Sequence, residues 1–80
     1  MPMPAIWEID LHGKNAYQAK ITLDSALRKA DASVYRIRVI HGFHQGETLK
    51  ELTAGYAAHS RVKGIRALHP GCTDLILKEK

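Results

Sequence analysis

The chain begins with a segment in which apolar and polar residues alternate, the pattern of a strand with one buried face. This segment, "IWEIDLH", follows a proline-containing start, so we expect residues 1–5 to be flexible and residues 6–80 to form one domain. Its apolar side chains point one way and its polar side chains the other: Trp7, Ile9 and Leu11 against Glu8, Asp10 and His12. The polar face of this strand therefore carries an aspartate and a histidine two positions apart.

A second alternating segment, "SVYRIRVIHG", predicts another strand, and like the first it ends in His-Gly. Its arginines fall on one face and its apolar residues on the other: Arg36 and Arg38 against Tyr35, Ile37 and Val39. Between the two strands, apolar residues recur at helical spacing from about Ala16 to about Ala30. Asn15 and Gln18 resemble a capping pair at the start of this predicted helix.

The second half of the chain predicts one more helix and two more strands. Leu49, Leu52 and Tyr56 lie at i, i+3 and i+7, the spacing of a helix face. The segment "VKGIRALHPGCTDLILK" then reads as two strands around a turn, and its Pro-Gly pair suits the centre of a type II turn. The order β-α-β-α-β-β predicts an α/β (α+β) two-layer sandwich, with a mixed four-stranded sheet and two helices on one face.

Size and charge limit the kind of site that the chain can build. Eighty residues with 45% hydrophobic content form one small core, so a functional site must lie on an open face or edge. Twelve Lys and Arg against eight Asp and Glu give a net charge of +4, which fits a polyanionic partner such as DNA or RNA. The same surplus is also compatible with a role in solubility alone.

Cysteine content and hydropathy predict a cytoplasmic protein. The single cysteine, Cys72, excludes an internal disulfide and a Cys-x-x-Cys zinc framework, and it favours a reducing compartment. The start of the chain lacks the pattern of a signal peptide, and no window approaches the roughly 18 apolar residues of a membrane span. We therefore expect no membrane interaction.

The two strand ends bring together residues that carry acid-base chemistry. Residues i and i+2 of a strand project from one face with Cα atoms about 6.5–7 Å apart, so Asp10 and His12 share a side. His41 ends the second strand as His12 ends the first. If these strands are parallel, both histidines lie at the carboxyl edge of the sheet, where open α/β sheets bind their ligands. Asp10, His12 and His41 are therefore candidates for acid-base chemistry at this edge.

The loop after the second strand has the features of a phosphate site. Two glycines bracket it, and the helix that follows offers free N–H groups and the positive end of its dipole. Cationic side chains extend this site into the helix and across the open face of the sheet. The predicted nucleic-acid-binding residues are Gly42, His44, Gly46, Lys50, Arg36 and Arg38.

A metal is not required by this arrangement. His12, His41 and His44 offer three imidazoles, but their spacing matches no standard zinc motif. We expect no cofactor, although a divalent ion at Asp10 is compatible with the chemistry.

The chain resembles the Smr (small MutS-related) domain over roughly Ile6 to Lys78. The resemblance rests on three features: the segment "IDLHG", the strand that ends in "VIHG", and the second helix, which starts with a glycine. That family is marked by an L-D-x-H motif near its start and an H-G-x-G motif in its middle. The first motif is present with Ile9 in place of leucine. The second is present in His41 and Gly42, whereas His44 stands where the family most often has glycine.

The resemblance implies a nucleic-acid-binding domain, in several members an endonuclease that nicks DNA or cuts RNA. It implies that Asp10 and His12 carry the chemistry, while His41 and Gly42 build the site and bind phosphate. In the hydrolytic reading, His12 and His41 exchange protons with the attacking and leaving oxygens and Asp10 orients one imidazole. Two other functions stay open: a binding module without catalysis, and a protein-interaction adaptor.

Overall fold

A computed structural model describes residues 5–42 and 46–78 of the chain. Its elements follow the predicted order β-α-β-α-β-β, and β1 begins at Ala5, one residue earlier than expected. The elements are β1 (Ala5–Asp10), α1 (Ala16–Lys29), β2 (Val34–Ile40), α2 (Gly46–Gly55) with a 3-10 turn (Tyr56–Ala58), β3 (Gly64–His69) and β4 (Cys72–Ile76).

The four strands form one mixed sheet in the order β1-β2-β4-β3. β1 and β2 are parallel, as expected for strands joined by a helix, while β4 is antiparallel to both β2 and β3. The predicted two-layer arrangement of a mixed sheet and two helices is confirmed. At 14 residues α1 is short, and no helix in the described ranges has the length and apolar character needed to cross a bilayer.

The core lies between the sheet and the helices. The predicted alternation of β1 and β2 is confirmed, because Trp7 and Ile9 pack against the core and Ile37 and Val39 are fully buried. The helices contribute mainly small and branched aliphatic residues, and β4 adds Leu75. The helix residues buried in the core are Ala19, Leu23, Ala26, Leu27 and Leu49.

Both ends of α1 are fixed by side chains. The expected capping pair is present: the Gln18 amide donates to Asn15 Oδ1 at 2.8 Å, and the Asn15 amide donates to Gln18 Oε1 at 3.3 Å. At the other end, the Arg61 guanidinium donates to the carbonyl oxygen of Leu27 and, at 2.8 Å, to that of Ala30. The helix is therefore held at its start by its own sequence and at its end by a distant residue.

The turn between β3 and β4 differs from the expected type II turn. That turn requires a positive φ at Gly71, and within the described residues only Gly13 and Gly42 have positive φ. The register of β3 shifts between Ala67 and His69, and the Gly71 amide donates to His69 Nδ1 at 3.2 Å. The shift and this hydrogen bond let the chain reverse without a left-handed residue.

The packing of α1 predicts a large effect of truncating Leu23, which is fully buried. Leu23→Ala should lower the free energy of unfolding by about 3 kcal/mol, because it removes buried apolar surface and leaves a cavity against the sheet. The measurement is urea unfolding followed by circular dichroism. Ile21→Ala on the same helix is the control: Ile21 is 50% exposed, so its loss should cost no more than about 0.5 kcal/mol.

Candidate functional site

Asp10 and His12 lie together on the surface where β1 ends. Both residues are exposed, and Asp10 Oδ1 accepts a hydrogen bond from the backbone amide of His12 at 2.8 Å. The next residue, Gly13, has φ +82°, and the Lys14 amide donates to the Leu11 carbonyl at 2.9 Å. The aspartate thus fixes the backbone of a tight turn, whereas the expectation was that it would orient an imidazole.

Gly42 brings the end of β2 against the His12 side chain. The ladder between the strands continues past β1, because the Leu11 amide donates to the Ile40 carbonyl at 2.8 Å. Gly42 has φ +83°, and a Cβ atom added there would lie 3.4 Å from His12 Cδ2. The positive φ, more than a lack of space, therefore favours glycine at this position, which lies beside the His12 ring. We call this carboxyl end of β1 and β2, with Asp10, His12, His41 and Gly42, the histidine edge.

His41 lies at the expected end of β2, but its side chain is buried on the helix side of the sheet, whereas that of His12 is exposed. The His41 side chain is 1% exposed, and its Nε2 lies 3.0 Å from Thr73 Oγ1, within hydrogen-bond distance. Along β2, His41 follows the alternation of Ile37 and Val39 toward the helices, whereas His12 continues the polar face of β1. The prediction that both imidazoles face one phosphodiester does not agree with this placement.

Two residues that the sequence analysis did not assign to the site hold His41 in place. The Gly71 carbonyl oxygen accepts hydrogen bonds from the amides of His41 at 3.0 Å and of Gly42 at 3.1 Å. Thr73 supplies the partner of the imidazole. No local sequence signal marks either residue, because their roles depend on the pairing of β4 with β2, which places Cys72 beside Ile40.

The predicted phosphate loop is described only at its two ends. α2 begins at Gly46, and Lys50 in its second turn is exposed at the surface. His44, which was predicted to contact phosphate, lies outside the described residues. The structure therefore places Gly42 and the start of α2 on either side of residues 43–45.

Arg36 and Arg38, the predicted basic track, both bind one buried carboxylate. Asp74 is fully buried on β4; its oxygens accept from Arg38 Nε at 3.0 Å, Arg38 Nη2 at 3.1 Å and Arg36 Nη1 at 3.3 Å. The hydrogen bonds to Asp74 raise the pKa of the Arg38 guanidinium. The Nε of Arg36 is buried and has no hydrogen-bond acceptor in the described part of the chain. One of the two positive charges is thus neutralised within the protein.

Charges of opposite sign alternate across the middle of this open face. Strand register places Glu8 beside Arg38, Arg38 beside Asp74, and Asp74 beside Arg66. This row contains as many acidic as basic side chains. The open face is therefore a mixed surface, which differs from the uniformly basic track that the two arginines of β2 suggested. An aspartate in the interior of an apolar strand, "CTDLI", is the sequence signal that identifies Asp74 as a buried partner.

Metal-binding groups are sparse at the histidine edge. Within residues 5–42 and 46–78, no three His, Cys, Asp or Glu side chains come together as a metal site. Of the three imidazoles considered for zinc, His41 is turned toward Thr73, and His44 lies outside the described residues. Mg²⁺ commonly binds one or two carboxylates together with substrate phosphate and water, and Asp10 is a carboxylate of that kind.

Comparisons with known proteins agree with the fold. The sequence profile of the Smr domain matches residues 9–72, a range that includes both strand-end motifs. The structure is similar to the crystal structure of the Smr domain of Thermus thermophilus MutS2, with a TM-score of 0.77 and 25% sequence identity. That similarity covers 91% of this chain and 99% of the other. No protein with a curated functional description matches the chain at a significant level.

The contact between His41 and Thr73 predicts a measurable loss of stability in Thr73→Val. The substitution keeps the shape of the side chain but leaves a buried imidazole nitrogen without its partner, which should cost about 1–2 kcal/mol. Thr53→Val is the control, because the buried Thr53 hydroxyl donates to Leu49 in its own helix, at 2.8 Å. Urea unfolding should show a smaller loss for Thr53→Val, and equal losses would contradict the proposed importance of the His41 contact.

Substituting the two glycines with positive φ should separate the effect of backbone strain from the effect of a new contact with His12. Gly13→Ala and Gly42→Ala should each lower stability by about 1 kcal/mol, since both have positive φ. An added Cβ contacts nothing within 4 Å at Gly13, but it meets the His12 ring at Gly42. The NMR signals of the His12 ring should therefore shift markedly more in Gly42→Ala than in Gly13→Ala, and similar shifts in both would argue against the contact.

Proposed function

Because the chain belongs to the Smr domain family, we propose that it binds DNA or RNA and holds a phosphodiester at the histidine edge. The observation that carries this proposal is the exposed pair Asp10 and His12, whose imidazole lies beside Gly42, just beyond the neighbouring parallel strand. The carboxyl edge of parallel strands is where open α/β sheets bind ligands. The pair is thus exposed to solvent at a position suited to a surface-bound polymer.

The groups around this pair suit a phosphate. His12 supplies an exposed imidazole that can donate a hydrogen bond to an anion, and α2 begins at Gly46, after residues 43–45. The N-terminus of a helix favours negative charge, and Lys50 adds a cation one turn further on. We propose that these groups together hold one phosphate.

We further propose that the site cleaves the phosphodiester, with proton transfer by His12 and Asp10. Asp10 takes the proton of the attacking hydroxyl, from water or a ribose 2′-hydroxyl, as the new P–O bond forms. The protonated His12 gives its proton to the oxygen of the P–O bond that breaks. His41 is a positioning residue in this scheme, because its imidazole is buried against Thr73 and holds the end of β2.

One observation favours a binding module without catalysis. Metal-free phosphodiester cleavage commonly needs an acid and a base on opposite sides of the phosphorus, and only one imidazole of the expected pair is exposed. Asp10 must then serve as the second group while its Oδ1 remains hydrogen-bonded to the His12 amide. If Asp10 does not act in this way, the same edge grips phosphate and releases it unchanged.

A cleavage assay distinguishes an endonuclease from a binding module without catalysis. The protein should nick supercoiled plasmid or cut a labelled structured RNA, and Asp10→Asn/His12→Gln should lower the rate by about 100-fold or more, because general acid-base catalysis contributes at least that factor. Asn at position 10 retains an oxygen that accepts the His12 amide, so the turn is preserved. Parallel reactions with a chelator show whether a divalent ion participates.

His59→Gln is the matched control, since it removes a histidine that lies beside Tyr56 between the helices. Its cleavage rate should equal that of the parent protein. If the parent and the double variant both bind and neither cuts, the enzymatic part of the proposal is wrong and the binding part stands. If the parent binds neither DNA nor RNA at low salt, the nucleic-acid function itself is wrong.

A further inference from the structure

A second group of basic residues collects at the edge of the sheet opposite the histidine edge. α1 returns the chain from β1 to the start of β2, so its last turn lies at this opposite edge. The end of β4 and the start of β3 lie there as well, because both strands are antiparallel to their neighbours. We name this group the basic edge: Arg28, Lys29, Arg61, Lys63 and Lys78.

Hydrogen bonds establish that these residues, although distant in sequence, are neighbours. Arg61 donates to carbonyl oxygens at the end of α1, and Lys78 Nζ donates to the Ala32 carbonyl just beyond that helix. The Lys63 amide donates to the Ile76 carbonyl at 2.6 Å, which places Lys63 beside the end of β4. The basic edge therefore combines three separate parts of the chain into one surface.

This surface holds most of the positive charge of the protein. Its five basic residues have two acidic neighbours: Asp31, which accepts hydrogen bonds from the Ser33 amide at 2.8 Å and hydroxyl at 2.6 Å, and Asp24, which lines the same groove as Arg28 and Arg61. The local surplus is therefore three, out of a net charge of +4 for the full sequence. The remaining sequence has seven Lys and Arg and six Asp and Glu, a surplus of one.

Stabilisation of α1 explains only part of this basic edge. Cations in the last turn of a helix interact favourably with its dipole, which suits Arg28 and Lys29, and Arg61 caps the terminal carbonyls. Lys63 and Lys78 belong to strand ends, and the side chain of Lys63 is exposed. A surplus of charge beyond the needs of the helix is thus held on the surface, where it repels itself unless an anion binds.

We propose that the basic edge is a second nucleic-acid contact, which binds phosphates of the same molecule whose phosphodiester lies at the histidine edge. This inference rests on the proposed function. The seven residues of β2 separate the two edges by about 20 Å. Successive phosphates of one strand in a duplex lie about 3.4 Å apart along the axis, so this distance corresponds to about six nucleotides. The mixed open face lies between the two contacts.

The two edges have different tasks in this arrangement. The remainder of the chain, which includes the histidine edge and carries a surplus of only one positive charge, provides little long-range attraction for a polyanion. The basic edge provides that attraction and contacts only backbone phosphates, so it should add affinity without base preference. A ligand too short to reach both edges should bind weakly.

The test compares two variants that lower the net charge by the same amount. Lys29→Gln/Lys63→Gln removes two cations from the basic edge, whereas Lys20→Gln/Ile21→Glu changes the charge by two in the middle of α1, where both residues are exposed. Binding of a labelled 20-base-pair duplex is measured by fluorescence anisotropy over a range of salt concentrations. The slope of log K against log salt should fall in magnitude by about 1.8 in the basic-edge variant, because each lost phosphate contact contributes about 0.9.

The expected affinity loss at low salt is about tenfold or more for the basic-edge variant and clearly smaller for the control variant. A trinucleotide, which is too short to span the sheet, should bind the parent much more weakly than the duplex does. Equal losses in the two variants would overturn the inference while leaving the proposed function intact. A parent protein that binds no oligonucleotide at low salt would overturn both.

A further arm uses vesicles that contain phosphatidylserine. If the parent binds these vesicles, the basic-edge variant does not, and both variants bind duplex equally, the basic edge contacts a membrane surface and the inference is wrong. Thermal unfolding of each variant accompanies the binding data, because a loss of affinity counts only for a folded protein.

Discussion

The geometry of the histidine edge depends on one backbone carbonyl. Gly71 O accepts the amides of His41 and Gly42, so the turn between β3 and β4 fixes the end of β2. Only with β2 held there does Gly42 meet the His12 ring and close the edge against β1. A contact made by the last hairpin of the chain thus positions the motif that the first strand carries. In a domain this small, the core and the site share the same strands, and neither can shift without the other.

Buried charge imposes the second constraint. Asp74 lies fully buried between two arginines that the sequence places on the open face. A buried carboxylate requires such partners, because desolvation penalises its charged form unless opposite charge and hydrogen bonds compensate. The arginines are therefore already paired with Asp74 within the protein before any ligand arrives. This pairing explains why the open face is mixed in charge and why the positive surplus is found elsewhere.

The sequence predicted the fold well and the site in part. Alternation in β1 and β2, helical spacing and the Asn15–Gln18 pair predicted the order of elements correctly, because these patterns report local burial and capping. The position of His41 at the end of β2 was predicted, whereas its burial against Thr73 was not, although simple alternation along β2 indicates the helix side.

Other features depend on how the strands pair, and the sequence pattern of a single strand does not determine its register with a neighbour. Which residue faces Arg38, and which hydroxyl meets His41, follow from the register of β4 against β2. The form of the β3–β4 turn likewise depends on a register shift inside β3, which overrides the preference of Pro-Gly. Local sequence therefore predicted the elements, while register determined the partners.

Charge distribution connects these points to function. Helices cover one face of the sheet, and on the other face the buried Asp74 carboxylate offsets the charge of the strand arginines. The excess positive charge therefore lies at the edge of the sheet, where strands and helices end. The chain has two such edges. The histidine edge has acid-base groups and little net charge, whereas the basic edge has a large positive charge and no acid-base pair of this kind. A polymer with regularly spaced phosphates is a ligand that both edges can contact at once, because they lie about 20 Å apart. The division of one small surface into a reactive edge and a charged edge is thus the physical reason to regard the two as parts of a single binding path.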